Sequence, residues 1–392
     1  MKSFGAVGDG VADDTSAVAA ALAASPTVHF PRGSYKVSTF PTLVDRSRLT
    51  GDGFESELVY TGTGTMLTLA GKQDVGIDSM SVHLEAIGAV AFDLDASFQC
   101  FLDTVRVRGN HSDVTVTDYQ TQKGLILRGN TGNTRIHNCV FANLGIGIDV
   151  SCIQNEVTNS RFTNCATSIA GTGTGGNAGM IVAATEFVGS GGPVFSTGAH
   201  VEIVGPANSW VFSSSWFEGS EYGLIVGDAT GGPSQFSMVG CKVAARGVGI
   251  QFNYCRQPSL ISCVFDEDQG GVMTEIVFDS GGDNAIEGVA LNLVTTIRGD
   301  FADSDFPQYW NVMRKGSLRT PNFRSSSDVF VDGTVDTGNL KVRNGGPAVG
   351  EVLTAEDTDG NAGWAPPFTV ITQAAYTALG TGRPLKLYAI VG

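Results

Sequence analysis

The chain has 392 residues, of which 52 are glycine, 42% are hydrophobic and 16% are charged. So many apolar residues with so few charges exclude a disordered chain and one built of long helices. The net charge of −15 argues against nucleic acid and anionic membrane as partners, although a local site can oppose the global charge.

The first 45 residues read as a cap followed by the first strands. FGAVGDGVADDTSAVAAALAA carries the helix signal: Asp14 or Thr15 is placed to N-cap an alanine-rich helix that Ser25-Pro26 ends. Asp9, Asp13 and Asp14 lack the spacing of a calcium loop, so turn and cap chemistry is expected of them. VHFPRGSYKV then reads as two short strands around a Pro-Arg-Gly turn. No apolar run in the chain has the length or flanks of a signal peptide or a membrane span, so no membrane insertion is expected.

Residues 46–299 are expected to form one solenoid, because the stretch from about Phe101 to Asn292 repeats itself. Six segments align on a bulky residue: IHNCVF ending at Phe141, VTNSRF at Phe162, VAATEF at Phe187, FSSSWF at Phe217, MVGCKV at Val243 and LISCVF at Phe265. The spacings are 21, 25, 30, 26 and 22 residues, and the variation falls between the cores. With the anchor as position zero, position −5 is always large and apolar (Ile136, Val157, Val182, Phe212, Met238, Leu260). Position −2 is always small (Cys139, Ser160, Thr185, Ser215, Cys241, Cys263). Stacked coils about 4.8 Å apart turn such positions into internal ladders, with the small column letting the bulky one fill the interior. Asn143 and Asn164 at position +2 predict a short asparagine ladder at a turn. An antiparallel sandwich predicts tight hairpins and no fixed ladder. Seven cysteines without metal spacing read as buried free thiols.

Positions −1 and +1 must point outward. They gather Arg161, Glu186, Trp216, Glu218, Lys242 and Asp266 on one face. Glycoside hydrolysis needs one carboxyl group to protonate the leaving oxygen and one to act as base or nucleophile. From the coil spacing, the Glu186 and Glu218 backbones are roughly 8 Å apart, and those of Glu218 and Asp266 about 9.6 Å apart. Both values fall in or near the window of about 6.5–9.5 Å for inverting chemistry. Glu218 is the preferred catalytic carboxylate, with Glu186 or Asp266 as partner. Trp216 offers a platform for a sugar ring, and Arg161 and Lys242 can bind sugar acids. The competing reading is a solvated surface laced with salt bridges. Glu221, Asp228, Glu267 and Asp268 in adjoining turns are further acid candidates. Glycine-rich stretches at 171–179 and 189–198 enlarge the turns beside these coils, but they lack the features of a phosphate loop. The histidines show no metal or triad spacing, and His137, inside a repeat core, reads as structural. No metal and no cofactor is expected.

After Gly299 the repeat ends. Residues 300–338 read as a transition segment, and 339–392 as a small carboxy-terminal trimerisation or binding region.

FGAVGDGVADDTSAVAAAL followed by VHFPRGSYKV resembles the amino-terminal signature of the pectate-lyase-superfamily domain of bacteriophage tailspikes. NLKVRNGGPAVGEVLTAEDTDGNAGWAPP resembles short units of phage tail fibres, and ITQAAYTALGTGRPLKLYAIVG resembles a terminal segment common in phage tail proteins. The fold these imply is all-β: a right-handed parallel β-helix with an amino-terminal capping helix and a tail-fibre-like carboxyl end. They imply a homotrimer on the virion tail, joined to other tail or baseplate proteins and binding host cell-surface polysaccharide. The family includes hydrolases, lyases, epimerases and non-catalytic proteins. Neither a polygalacturonase motif set nor a calcium-dependent pectate lyase site is present. The expectation is therefore a tailspike that depolymerises polysaccharide by hydrolysis, with a lyase or a non-catalytic receptor-binding protein as alternatives.

Overall fold

The computed structural model describes residues 1–110, 121–171, 178–189, 198–255, 258–266 and 273–278. It also describes short strands at 294–297, 352–355, 362–365, 371–372 and 390–391. The chain divides into Met1–Phe323 and Arg324–Gly392. In the second unit Val352–Ala355 pairs antiparallel with Ala362–Ala365, setting Leu353 opposite Trp364. Ile371–Thr372 pairs parallel with Ile390–Val391. The rest of the transition and tail segments lies outside the described residues.

The first unit is a parallel β-solenoid of about nine turns. Strand Ile146–Val150 bonds not to its chain neighbours but to Lys123–Arg128 one coil before and Thr167–Gly171 one coil after, both parallel. Parallel pairing requires a long crossover, and here the remainder of each coil supplies it. A nine-stranded sheet forms one wall, and a nineteen-stranded sheet system forms the others.

The inward ladders are those expected from the repeat. Phe141, Phe162, Phe187, Phe217, Val243 and Phe265 pair successively, and so do Ile136, Val157, Val182, Phe212, Met238 and Leu260. All are buried. Four anchor rings stack nearly face to face, with centroids 5.1, 5.0 and 4.5 Å apart. Aromatic pairing of this kind contributes about 0.5–1.5 kcal/mol per pair beyond area burial. The small column does more than leave room. The hydroxyls of Ser160, Thr185 and Ser215 donate to the carbonyl two residues earlier. They also accept the N–H of Cys139, Ser160 and Thr185 in the preceding coil. Buried polar groups are thereby satisfied along the axis.

Two ladders complete the coil. Position −3 adopts left-handed backbone in every core, from Asn138 and Asn159 through Ala184, Ser214 and Gly240 to Ser262. This bends the chain between two short strands. Opposite the anchors runs a column of small residues. A Cβ on Gly147 would come within 2.7 Å of the Phe162 ring and 2.5 Å of the Ser168 carbonyl. Gly124, Gly223 and Gly249 face Phe141, Val243 and Phe265 in the same way. The column is interrupted by Ser168 and His200.

The helix Thr15–Ala24 covers the open end, burying Ala17, Val18 and Ala21 in the cluster that continues down the solenoid. Asp14 stands at its N-cap position, but its carboxylate accepts from Val7 and Gly8 N–H instead. Asp13 takes the Thr15 N–H, and Asp9 those of Val11 and Ala12. Asp9 and Asp13 thus do turn and cap work, whereas the Asp14 carboxylate ties the preceding loop to the helix start. No helix among the described residues is long and apolar enough to cross a membrane.

Candidate functional site

Four of the anchor strands, Val140–Ala142, Arg161–Thr163, Glu186–Val188 and Trp216–Glu218, are three residues long and bury only the middle one, so both flanking side chains face outward; Ala244 in Lys242–Ala244 is buried as well. One column runs Val140, Arg161, Glu186, Trp216, Lys242, Val264. The other runs Ala142, Thr163, Val188, Glu218, Ala244. Asp266 continues the second, its N–H donating to the Val243 carbonyl one coil back. All six predicted site residues therefore share one face.

Their contacts are specific. Arg161 Nε lies 3.5 Å from Glu186 Oε2. Lys242 Nζ lies 3.3 Å from Asp266 Oδ2 and 4.5 Å from the Trp216 ring centroid. Lys242 is thus engaged twice by its own neighbours, as the salt-bridge reading expects. Glu218 makes no ion pair among the described residues. It sits diagonally across from Glu186 in the next coil, and two coils from Asp266 across the small Ala244. Trp216 is 43% exposed, leaving ring surface for a ligand.

Beside this face a cleft of about 330 Å³ follows the left-handed bend. Its lining includes Phe54, Thr104, Asn138, Asn159, Arg161 and Glu186. Phe54 belongs to an earlier turn and is held by Arg106, whose guanidinium lies 5.1 Å from the ring centroid and donates to the Phe54 carbonyl. Glu218, Trp216, Lys242 and Asp266 lie outside the cleft lining.

Beneath the face is His200. It is 3% exposed and accepts at Nδ1 from the Ser168 hydroxyl, while Nε2 donates to the Glu218 carbonyl at 2.7 Å. A carbonyl only accepts, so the proton is on Nε2. Burial pushes the His200 pKa down to about 4, which keeps the ring neutral. Burial likewise pushes the thiols of Cys139, Cys152 and Cys165 up to about 12, so these are packing groups rather than nucleophiles.

Phe54, Arg106, Asn138, Asn159 and His200 are absent from the sequence-based site. Arg106 had a signal: LDTVRV at Leu102–Val107 and IDSMSV at Ile77–Val82 are earlier copies of the six-residue core, in register with IHNCVF. Phe54 lies in no ladder and had none. Glu221 and Asp228 lie in turns, with Asp228 closing its own by accepting from Thr230 and Gly231. Glu267, Asp268, His111 and the loops 172–177 and 190–197 lie outside the described residues. Among the described residues no group of three or more His, Cys, Asp or Glu gathers to hold a metal ion.

A parallel β-helix with an open, charged and aromatic lateral face is the class that fold and site define. Residues 1–192 match the family model described as rhamnogalacturonase A/epimerase, pectate lyase-like. A pre-neck appendage protein of Bacillus phage B103 is 27% identical over 152 residues, 39% of this chain and 16% of that protein. Among solved structures, ORF18 of Geobacillus virus E2 is 16% identical with a TM-score of 0.54, over 76% of this chain and 60% of that one. The tailspike protein of E. coli bacteriophage HK620, solved in complex with a pentasaccharide, is 11% identical with a TM-score of 0.54, over 76% and 65%. Full-length tailspike protein 2 of an E. coli O157:H7 bacteriophage is 14% identical with a TM-score of 0.54, over 76% and 42%. The chain therefore spans less than two thirds of each, and at these identities the structures establish the shared fold. The likeness to phage tailspike and appendage proteins agrees with the resemblance read from the sequence.

Proposed function

We propose that this chain is a tailspike that binds a host cell-surface polysaccharide along its lateral face and hydrolyses it there. The observation carrying this reading is the strand Trp216–Glu218, which presents side by side an exposed indole and a carboxylate with no ion pair among the described residues. Trp216 stacks on a sugar ring, and Glu218 protonates the glycosidic oxygen as its bond to the anomeric carbon breaks. Glu186, one coil away and held by Arg161, takes a proton from the water that forms the new bond to that carbon; Asp266 is the alternative partner. Attachment to other tail proteins and trimer formation belong to the same proposal.

The test is product analysis on a panel of capsular and lipopolysaccharide glycans. New reducing ends with the native chain, lost in Glu218→Gln while binding persists, are expected. Unsaturated uronic products would replace the hydrolase by a lyase, and cleavage unchanged in Glu218→Gln would remove this carboxylate from the reaction. The Arg161–Glu186 and Lys242–Asp266 pairs favour a second reading, a receptor-binding face without catalysis. Binding without any product from the native chain would establish it.

A further inference from the structure

We infer that Cys241 and Cys263 close an internal disulfide between two neighbouring coils once the chain meets a small-molecule disulfide as oxidant. The bond ties the coil that carries Lys242 to the coil that carries Asp266.

Register is the first reason. Both cysteines stand in the small inward column, two residues before the anchors Val243 and Phe265, which pair directly. Parallel neighbours in register are about 4.8 Å apart, inside the Cα range of about 4.4–6.8 Å that a disulfide spans. Both side chains point into the interior and are buried, so neither has to turn round to meet the other. The two thiols already hydrogen-bond to each other. Cys139, in the same column, has Ser160 opposite it instead, whose hydroxyl accepts the Cys139 N–H.

The second reason is what oxidation leaves behind. Each thiol donates to the carbonyl two residues earlier, Cys241 to Val239 and Cys263 to Ile261, both at 3.6 Å. Removing these protons orphans neither carbonyl. Val239 also accepts the Ser214 N–H and Ile261 the Gly240 N–H, each at 2.9 Å. Cys263 reaches the Met238 carbonyl as well, at 3.5 Å, and that strand is paired on both sides.

The two sulfurs divide the chemistry between them. The hydrogen bond from Cys241 pulls the Cys263 pKa down to about 7, while the same bond, and then burial, push Cys241 up. Cys263 therefore supplies the first thiolate. It attacks one sulfur of the oxidant, forming a mixed disulfide and releasing one half of the oxidant as thiolate. Cys241 then attacks the Cys263 sulfur and releases the other half. Two electrons pass to the oxidant, and its two halves take up the two thiol protons. Local opening of the stacked coils, which costs less than global unfolding, admits the oxidant to thiols that are buried at rest.

The experiment uses the full chain and oxidised glutathione, in buffer and again in urea below the unfolding midpoint. Lys242, Arg246 and Arg256 lie between the two cysteines, so trypsin separates them and a non-reducing peptide map shows them joined through sulfur alone. Expected are that linked pair, the loss of two of the seven thiols titrated in denaturant, and a higher urea midpoint for the oxidised chain. Cys241→Ser and Cys263→Ser each supply the hydroxyl that Ser160 and Ser215 carry in this column, so both should fold and lose the link. Cys139→Ser should keep it. No linked pair in either condition, a link through another cysteine, or a link that leaves the midpoint unchanged would each overturn the inference.

Discussion

His200 donates its Nε2 proton to the backbone carbonyl of Glu218 across 2.7 Å, tying the interior of the solenoid to the residue at the centre of its outer face. The imidazole holds the end of strand Trp216–Glu218 in place from behind, and burial keeps the ring neutral while it does so.

The pH dependence of stability follows from that burial. The pKa falls from 6.5 to about 4 on folding, so the unfolded chain binds a proton over that interval and the folded chain does not. The stabilisation is fully present above pH 6.5 and is lost as pH falls towards 4, by about 3 kcal/mol at most. Urea midpoints should drop across this window in the native chain and drop less in His200→Gln. Parallel curves for the two proteins would show that His200 is not the titrating group.

The anchor stack should be costly to interrupt. Phe187 lies between Phe162 and Phe217 at 5.0 and 4.5 Å, with no room for its neighbours to collapse inward. Phe187→Ala is expected to lose about 3–5 kcal/mol in equilibrium denaturation, and Phe187→Leu distinctly less. A loss under about 1 kcal/mol for the alanine variant would mean that the ladder contributes little.

The same packing predicts the converse defect from the facing wall. Gly147→Ala would place a methyl group 2.7 Å from the Phe162 ring and 2.5 Å from the Ser168 carbonyl. We expect a loss of about 1–3 kcal/mol by thermal or urea unfolding. A neutral result would show that the two walls can separate.

Lys242 offers a milder case, because its partners are exposed. Lys242→Met removes both the Trp216 contact and the Asp266 pair, and should change stability by about 1 kcal/mol or less. Its clearer effect should be on the emission of the exposed indole. A loss of several kcal/mol would reveal a network rather than a surface pair.

The proposed catalytic role of Glu218 and its partner can be tested by rates. Glu186→Gln or Asp266→Gln, whichever removes the acting base, should lower kcat about 10²–10⁴-fold while oligosaccharide binding stays within a few-fold. Equal, small effects from both would leave Glu218 without either partner and count against paired-acid chemistry.

The solenoid was legible because stacking imposes one residue type per column, and a column is visible in a single sequence. The register read from Phe141 to Phe265 matches the observed pairing at each step. The facing glycine column was equally present, six residues after Phe141, Phe162 by way of Ser168, Phe217 and Val243. It was passed over because a missing side chain leaves no bulk to align. The outward face was legible as a list of residues but not as a set of contacts. Register brings Arg161 beside Glu186, but only rotamers decide that Lys242 turns to Trp216 and Asp266. Phe54 could not be foreseen, because it enters the cleft from a turn that belongs to no ladder.

The left-handed bend and the anchor stack recur in coil after coil, which makes the coils nearly interchangeable. During folding, a chain of interchangeable parts can close on the wrong copy and skip one, leaving a loop stranded outside an otherwise well-paired column. The departures from the repeat then act as addresses. Val243 ends the run of stacked rings, and His200 stands in the column where glycine recurs. A coil displaced by one step would set the His200 ring at a position such as that of Gly223, where even a Cβ comes within 2.5 Å of a carbonyl and 2.8 Å of the anchor Val243. The residues that break the pattern are therefore the ones that keep its members in order.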